Sequence, residues 1–222
     1  MGIGITANSF SKLNYSVVAV DIDPVVLEFA QTYFELSNVE LKVMGGREYL
    51  NTLGNGTIDY LCHDVFTGGS SPQLLFSTEF FEIAKSKLKA NGVFTINLVS
   101  HLIPGRDMPL KLLLQTLNKH FKHIHGYRDG TINVEHVQNI VLYCTDFEIK
   151  YRPFTAEDVM GSDMRRLFLN NMEEFRIRLE IEGGEILTDA NEKLNKNSFD
   201  QQFEHWTVMN MMVDKNTWIQ YE

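Results

Sequence analysis

Val17-Val18-Ala19-Val20-Asp21-Ile22-Asp23-Pro24 is the stretch that decides the fold class of this 222-residue chain. Its apolar run ends in an acidic residue, which is typical of a buried parallel strand with a carboxylate at its carboxyl end. Asp23 suits the N-cap of a helix and Pro24 suits its first turn, so a helix is predicted directly after the strand. Ligands of open α/β sheets bind outside the carboxyl ends of the strands. The stretch therefore predicts an α/β fold with a ligand site near Asp21.

Two glycines precede this strand in the segment Gly2-Ile3-Gly4-Ile5-Thr6-Ala7. Together with Asp21 they have the spacing of a fingerprint that serves NAD folds and S-adenosylmethionine folds alike. The glycines let the backbone approach a nucleoside ligand, and the carboxylate binds the ribose hydroxyls. The alternative is that Asp21 is only a solvated strand end. Because such a loop normally follows a strand and here follows only Met1, we expect the first strand of the fold to be missing.

Composition limits the class of protein and its partners. The net charge is −9, which argues against a nucleic-acid backbone as partner and suits a cationic substrate. No apolar run reaches the ~18 residues that a membrane span needs, so we expect no span in this segment and a cytoplasmic location. Cys62 and Cys144 each lie in an apolar run and are predicted to be buried thiols in a reducing compartment. No cluster of residues has the spacing of a metal site, so no metal is expected.

Strands and helices alternate over the first two thirds of the chain, which predicts a mostly parallel sheet with helices on both faces. Strands are predicted at 16–21, 39–43, 58–63, 92–98 and 139–145, with 124–128 beside the last one. Helices are predicted at 5–13, 24–34, 46–53, 78–88 and 108–121, and a turn at Asn91-Gly92 is expected to close the fourth. After Pro153 the charge density rises and the segments are helical or irregular. We therefore predict a Rossmann-like domain at 1–150 and a mainly helical C-terminal extension at 151–222, in which Trp206 is a core anchor.

Another acidic residue, Asp64, follows the strand predicted at 58–63 and comes before a glycine-rich loop that ends at Pro72. A carboxylate at the tip of a strand, facing a ligand cleft, could contact a substrate or remove a proton from it. The alternative is a residue that only caps the loop. For His63, a buried and hydrogen-bonded histidine is the expected role, in preference to a catalyst.

Several of these motifs, taken in order, resemble the spermidine synthase-like group of the class I S-adenosylmethionine-dependent methyltransferase superfamily. The resemblance covers about residues 2 to 145, and a divergent branch of the group is the best match. It is carried by the following segments: Gly2-x-Gly4, Val18-Ala19-Val20-Asp21-Ile22-Asp23-Pro24, Gly46-Arg47-Glu48-Tyr49-Leu50, Ile58 to Asp64, Phe76 to Phe81 and Leu88 to Gly92. Leu187-Thr188-Asp189 also resembles a motif near the C-terminus of that branch.

The resemblance implies a Rossmann-like fold that binds S-adenosylmethionine or decarboxylated S-adenosylmethionine. It implies that Gly2 and Gly4 line the cofactor, that Asp21 holds its ribose and that Asp64 faces the reacting centre. Two positions depart from the group. Thr67 replaces a second acidic residue that helps to activate the attacking amine, and Gly45 replaces an acidic residue that contacts adenine.

Three hypotheses follow. The leading one is an alkyl transferase that acts on an amine or a similar nucleophile, with a homodimer among its expected partners. The second is a catalytically inactive domain with an interaction or structural role, which the missing strand, Gly45 and Thr67 motivate. The third is a nicotinamide-dependent oxidoreductase. The turn at Asp21-Ile22-Asp23-Pro24 and the position of Asp64 favour the sulfonium cofactor over nicotinamide.

Overall fold

The computed structural model describes residues 2–65, 72–129, 136–181 and 185–191, together with residues 193, 194, 196, 203, 204 and 207. The chain divides into two compact units, Met1–Thr57 and Ile58–Glu222. We call them the first unit and the second unit. The sequence predicted a different division, with a domain at 1–150 and an extension at 151–222, and this stays a prediction.

The first unit is a two-stranded parallel sheet with three helices. Its elements, in chain order, are α1 (Ile5–Lys12), β1 (Val18–Asp21), α2 (Pro24–Tyr33), β2 (Glu40–Val43) and α3 (Gly46–Thr52). The register runs from Val18 opposite Glu40 to Asp21 opposite Val43, so both strands end at the same edge. Asp23 caps α2 by accepting a hydrogen bond from the Val25 amide at 2.8 Å, as the sequence predicted. Its buried apolar residues are Ala19, Leu27, Ala30, Leu36 and Leu50.

The second unit contains a five-stranded sheet in the order β3-β4-β6-β5-β7. Its strands are β3 (Ile58–His63), β4 (Leu88–Ser100), β5 (His123–Arg128), β6 (Gln138–Thr145) and β7 (Arg176–Ile177). Among its described residues, the helices include α4 (Thr78–Lys87), α5 (Met108–Asn118), α6 (Ala156–Val159), α7 (Asp163–Asn170) and α8 (Met172–Phe175), and a 3-10 turn covers Gln73–Leu75. β5 pairs with β6, as the sequence suggested for 124–128.

One row of residues forms the core of the second unit. Phe94 and Ile96 on β4 lie opposite Cys144 and Leu142 on β6, and all four are fully buried. The Phe94 ring stacks on Phe121, with ring centroids 5.6 Å apart. α4 and α5 contribute further buried side chains to this unit, which are Phe80, Phe81, Ala84, Leu110, Leu112, Leu113, Leu114 and Leu117. The burial of every second strand residue follows from the two-residue period of a strand.

The strand directions differ from the prediction of a mostly parallel sheet. Among the described residues, β1–β2 and β3–β4 are parallel, whereas β4–β6, β5–β6 and β5–β7 are antiparallel. The sheets are therefore mixed. For the β5–β6 pair the reason is that the two strands are joined by a connection too short for a crossover helix, which parallel strands require.

The turn predicted at Asn91-Gly92 is absorbed into β4. α4 runs directly into β4, and the pairing with β3 jumps from Ile58 opposite Leu88 to Tyr60 opposite Val93. The extra residues form an irregular bulge. A Cβ atom on Gly92 would lie 2.9 Å from the Leu88 Cβ and 3.0 Å from the Lys89 carbonyl oxygen, so this bulge requires glycine.

The segment Leu187-Thr188-Asp189 is a structural tether within the second unit. The Leu187 carbonyl accepts a hydrogen bond from the Thr78 amide at 2.8 Å, and the Asp189 carboxylate accepts one from the Ser77 hydroxyl at 2.5 Å. Gln73 donates to the Thr188 carbonyl. These bonds fix residues 187–189 against the start of α4. The predicted core anchor Trp206 lies outside the described residues.

Candidate functional site

The two glycines of the fingerprint form the turn that opens α1. Gly2 has a φ of +57° and Gly4 a φ of +80°, in the left-handed region that favours glycine. Gly4 is the N-cap of α1, and a Cβ atom there would lie 3.1 Å from a Leu36 methyl group. Conformation and close packing both favour glycine at position 4. Gly2 is exposed, whereas Gly4 is buried. The turn thus presents Gly2 to a ligand just before the start of a helix, where amide groups are unpaired.

Asp21 is the last residue of β1, as the sequence predicted. It is partly buried, and its carboxylate accepts a hydrogen bond from the Asp23 amide at 3.1 Å. The bond fixes the turn between β1 and α2 and orients the carboxylate at the carboxyl edge of the sheet. Because β1 and β2 are parallel, the end of β2 lies at the same edge, and the Met44 amide donates to the Asp21 carbonyl at 3.0 Å.

Gly45 follows at this edge, as the N-cap of α3. Its φ is −66°, so glycine is not required by the backbone, and a Cβ atom would find only Glu48 within 4 Å, at 3.8 Å. The structure therefore has room for a side chain at position 45. The absence of an acidic group there is a property of this sequence and not of the fold.

Asp64 belongs to the second unit, where it directly follows β3 and is exposed. Its Oδ1 atom accepts a hydrogen bond from the Asn97 amide nitrogen at 3.0 Å. Asn97 lies on the neighbouring strand β4, whose Ile96 pairs with His63. Asn97 was not predicted from the sequence, although a single amide inside the apolar run 93–99 was a visible signal. Thr67, the other position of interest in this loop, lies outside the described residues.

His63 is a structural residue, as predicted. Its side chain is buried, and its Nε2 atom donates to the Leu75 carbonyl at 2.9 Å. The rings of Phe76, Phe80 and Phe94 surround it, with centroids at 4.8, 5.4 and 6.1 Å. Burial lowers the pKa of His63 to about 4, so the imidazole is neutral at pH 7.

A second polar cluster lies beyond the end of β4 and was not foreseen. Glu204 binds Arg106, with 2.8 Å between Oε2 and Nη2, and its other oxygen lies 3.3 Å from His136 Nδ1. The Glu204 Oε2 atom is also 3.2 Å from His101 Nε2. Burial opposes ionisation of Glu204, but its bonds to Arg106, His136 and the Val137 amide hold its pKa below the usual value. The cluster joins the C-terminal part of the chain to the edge of the sheet where β4 ends.

The remaining predictions on site chemistry concern thiols, metals and membranes. Both cysteines are free, but only Cys144 is buried, so the prediction of a buried Cys62 is wrong: Cys62 lies on the edge strand β3 and is exposed. Within the described ranges, no three His, Cys, Asp or Glu side chains are grouped as a metal site requires. None of the described helices is both long and apolar enough to cross a membrane.

Comparison with known proteins identifies relatives. Residues 2–127 match the family model described as spermine/spermidine synthase domain. A curated relative is the N-terminal histidine N-methyltransferase of Emericella nidulans, which is 28% identical over 98% of this chain. The chain spans only 42% of the length of that relative.

Solved structures support the same fold. A probable spermidine synthase from Corynebacterium glutamicum superposes with a TM-score of 0.60 at 20% identity, over 81% of this chain and 69% of that one. Human methyltransferase-like protein 13, solved in complex with SAH, superposes with a TM-score of 0.52 at 24% identity, over 76% of this chain and 79% of that one. The Rossmann-like class predicted from the sequence is thereby confirmed. Since the family model covers more than half of the sequence, the chain belongs to the spermine/spermidine synthase domain family.

Proposed function

We propose that this chain is an S-adenosylmethionine-dependent transferase that moves an alkyl group from the sulfonium of its cofactor to an amine nitrogen. The observation that carries the proposal is the pairing of Asp21, at the end of a parallel strand, with a left-handed glycine turn at Gly2 and Gly4, in a chain of this family. Decarboxylated S-adenosylmethionine is the alternative donor. The membership of the family does not by itself choose between the two.

The first unit would hold the cofactor. The backbone of the glycine turn at Gly2 and Gly4 would approach the nucleoside, and the Asp21 carboxylate would accept hydrogen bonds from the two ribose hydroxyls. The bond from the Asp23 amide to Oδ1 orients the Asp21 carboxylate within the turn. Carboxylate acceptors form strong hydrogen bonds with hydroxyls, so Asp21 would contribute a large part of the affinity.

Asp64, in the second unit, is the residue that we propose to contact the acceptor. In the reaction, the nitrogen lone pair attacks the carbon bound to sulfur, the N–C bond forms as the C–S bond breaks, and the electron pair stays on the sulfur of the thioether product. The nitrogen must lose a proton, which Asp64 would accept or pass to solvent. Alignment of nitrogen, carbon and sulfur is a major source of rate in such displacements.

An amine acceptor is favoured by two observations. The Emericella nidulans relative is by its name an N-methyltransferase that acts on an N-terminal histidine. The net charge of −9 and the carboxylate at position 64 suit an amine that reaches the protein as a cation. A cytoplasmic location, which the two free thiols favour, and a homodimer are further expectations of this proposal.

A non-catalytic role is the second candidate, and one observation favours it. The Asp21 carboxylate already has a structural partner in the Asp23 amide, and the Asp64 carboxylate has one in Asn97. Both residues would then serve only the local fold. This candidate predicts that the chain binds no sulfonium cofactor.

The test is transfer of a labelled methyl group from S-adenosylmethionine to a peptide that begins with histidine. The wild-type chain should label the peptide, and Asp64→Asn should lower the rate about 100-fold, the typical size of a proton-transfer contribution. Asp59→Asn is the matched control, because Asp59 is an exposed carboxylate at the other end of β3 that pairs with Lys89 at 2.7 Å. No labelling of any amine by a folded wild-type chain, with either donor, would overturn the proposal.

A further inference from the structure

The side-chain amide of Asn97 has a hydrogen-bond partner at its nitrogen but, in the described part of the chain, none at its oxygen. Its Nδ2 atom donates to Asp64 Oδ1 at 3.0 Å. Its Oδ1 atom is buried and has no hydrogen-bond partner among the described residues. Buried carbonyl oxygens in folded proteins almost always have a partner, so an unpaired one points to a missing donor.

The hydrogen-bonded pair contains two kinds of acceptor. The Asn97 amide is held by its bond to Asp64 Oδ1, and its own oxygen has no partner among the described residues. An amide oxygen can only accept a hydrogen bond, and an ionised carboxylate can only accept as well. The pair therefore suits a group with two hydrogen-bond donors on one atom.

We propose that Asn97 and Asp64 together bind the nucleophilic nitrogen of a primary amine, with one N–H directed to each residue. This inference rests on the proposed function and specifies its acceptor class. A neutral primary amine has two N–H groups and one lone pair. When both N–H groups are bound, the lone pair has one remaining direction, so the two acceptors would fix the direction in which it can attack. Asn97 would thus bind one N–H of the substrate directly, and its hydrogen bond to Asp64 would position the carboxylate that binds the other.

Other nucleophiles fit this pair less well. A hydroxyl has one hydrogen, so its oxygen lone pairs would face the second acceptor. A secondary amine has one N–H when neutral and would leave the Asn97 oxygen unpaired. Failure to satisfy a buried polar group is the strongest source of discrimination between similar substrates. The pair should therefore select the first alkylation of an amine over the second.

The experiment compares two peptides that differ only at the amino terminus, one with a primary amine and one with an Nα-methyl group. Asn97→Leu removes both polar atoms at similar volume. It should lower the transfer rate to the primary amine by about 10- to 100-fold, as for the loss of one hydrogen bond to the reacting group. The rate with the Nα-methyl peptide should fall less than about threefold, because that substrate needs only Asp64.

Two controls separate this result from a loss of structure. Thr95→Val removes a hydroxyl two residues earlier on the same strand and should leave both rates unchanged. Asn97→Ser, a smaller change, should shift the ratio of the two rates in the same direction as Asn97→Leu, with unchanged binding of S-adenosylhomocysteine. Equal losses on both peptides, or the same change of ratio in Thr95→Val, would overturn this inference alone. A wild-type chain that labels neither peptide would overturn the proposed function, and this inference with it.

Discussion

The first and second units bury their apolar side chains to different extents. In the first unit, Ile5, Ile22 and Tyr33 are 65%, 76% and 68% exposed, and its sheet has two strands. In the second unit, Phe94, Ile96 and Leu142 are fully buried in a sheet of five strands. Burial of apolar area is the main source of stability, so the first unit should be the less stable one.

The proposed cofactor and acceptor residues are distributed differently over the two units. The proposed cofactor residues lie in the weakly packed unit, and the proposed acceptor residues lie in the well-packed one. A ligand that binds only the folded state stabilises it by mass action. We therefore expect the cofactor to stabilise mainly the first unit, whereas the orientation of Asp64 and Asn97 should be fixed without a ligand.

The largest expected effects test the packing contrast with matched leucines. Leu114 in the second unit and Leu27 in the first are both almost fully buried. Leu114→Ala should lower the free energy of unfolding by about 4 kcal/mol, and Leu27→Ala by about 2 kcal/mol, because a thin core collapses more readily around the lost methyl groups. Urea titrations followed by circular dichroism measure both values. If Leu27→Ala lowered the free energy of unfolding as much as Leu114→Ala or more, the weaker packing of the first unit would not make it less stable.

Any effect of histidine titration on stability should be confined to the second unit, because all seven histidines follow residue 57. His63 has a pKa of about 4 in the folded state, lowered by burial from its ordinary value of 6.5. Below pH 6.5 the unfolded chain takes up a proton that folded His63 does not, so stability falls as the pH drops from about 6.5 to about 4. The loss attributable to His63 should be about 3 kcal/mol.

His63→Gln is the comparison variant for this effect. It should be less stable at pH 7 but should show a weaker decline of stability on acidification. The measurement is the difference in unfolding free energy between pH 7 and pH 4.5 for the two chains. An identical decline in both would mean that His63 is not the group responsible.

The smallest effects concern one helix cap in each unit. Ser77 is fully buried, caps α4 and donates to Asp189, so Ser77→Ala should cost about 2 kcal/mol of stability. Asp23 caps α2 at an exposed site, so Asp23→Ala should cost about 1 kcal/mol. Thermal unfolding of the two variants gives the comparison, and Asp189→Ala should reproduce most of the Ser77 effect. A larger loss at Asp23 would reverse the expected order.

Local patterns predicted much of the fold. The β1 strand, the cap at Asp23 and the strand at 58–63 follow from apolar runs bounded by an acid or a turn, and the structure has them within two residues. The buried role of His63 was also predictable, because it lies at the end of an apolar strand. The antiparallel pairs were not, because a strand pattern does not state the direction of its neighbour.

The site was less predictable than the fold. Gly2, Gly4, Asp21 and Asp64 stand out because their types and spacing are unusual for structural residues alone. Asn97 became visible only through its contact with Asp64, since pairing across strands depends on register. The cluster at Glu204 joins residues about 100 positions apart, and no local pattern carries that information.

A calorimetric titration with S-adenosylhomocysteine tests most directly whether the cofactor is bound by residues of the first unit and not by Asp64 of the second. We expect the wild-type chain to bind the ligand. Asp21→Ala should weaken binding at least about tenfold, as for the loss of hydrogen bonds to a charged group, and Asp64→Ala should change it less than about twofold. The contrary result is a folded wild-type chain that does not bind, or an equal loss of affinity in Asp21→Ala and Asp64→Ala.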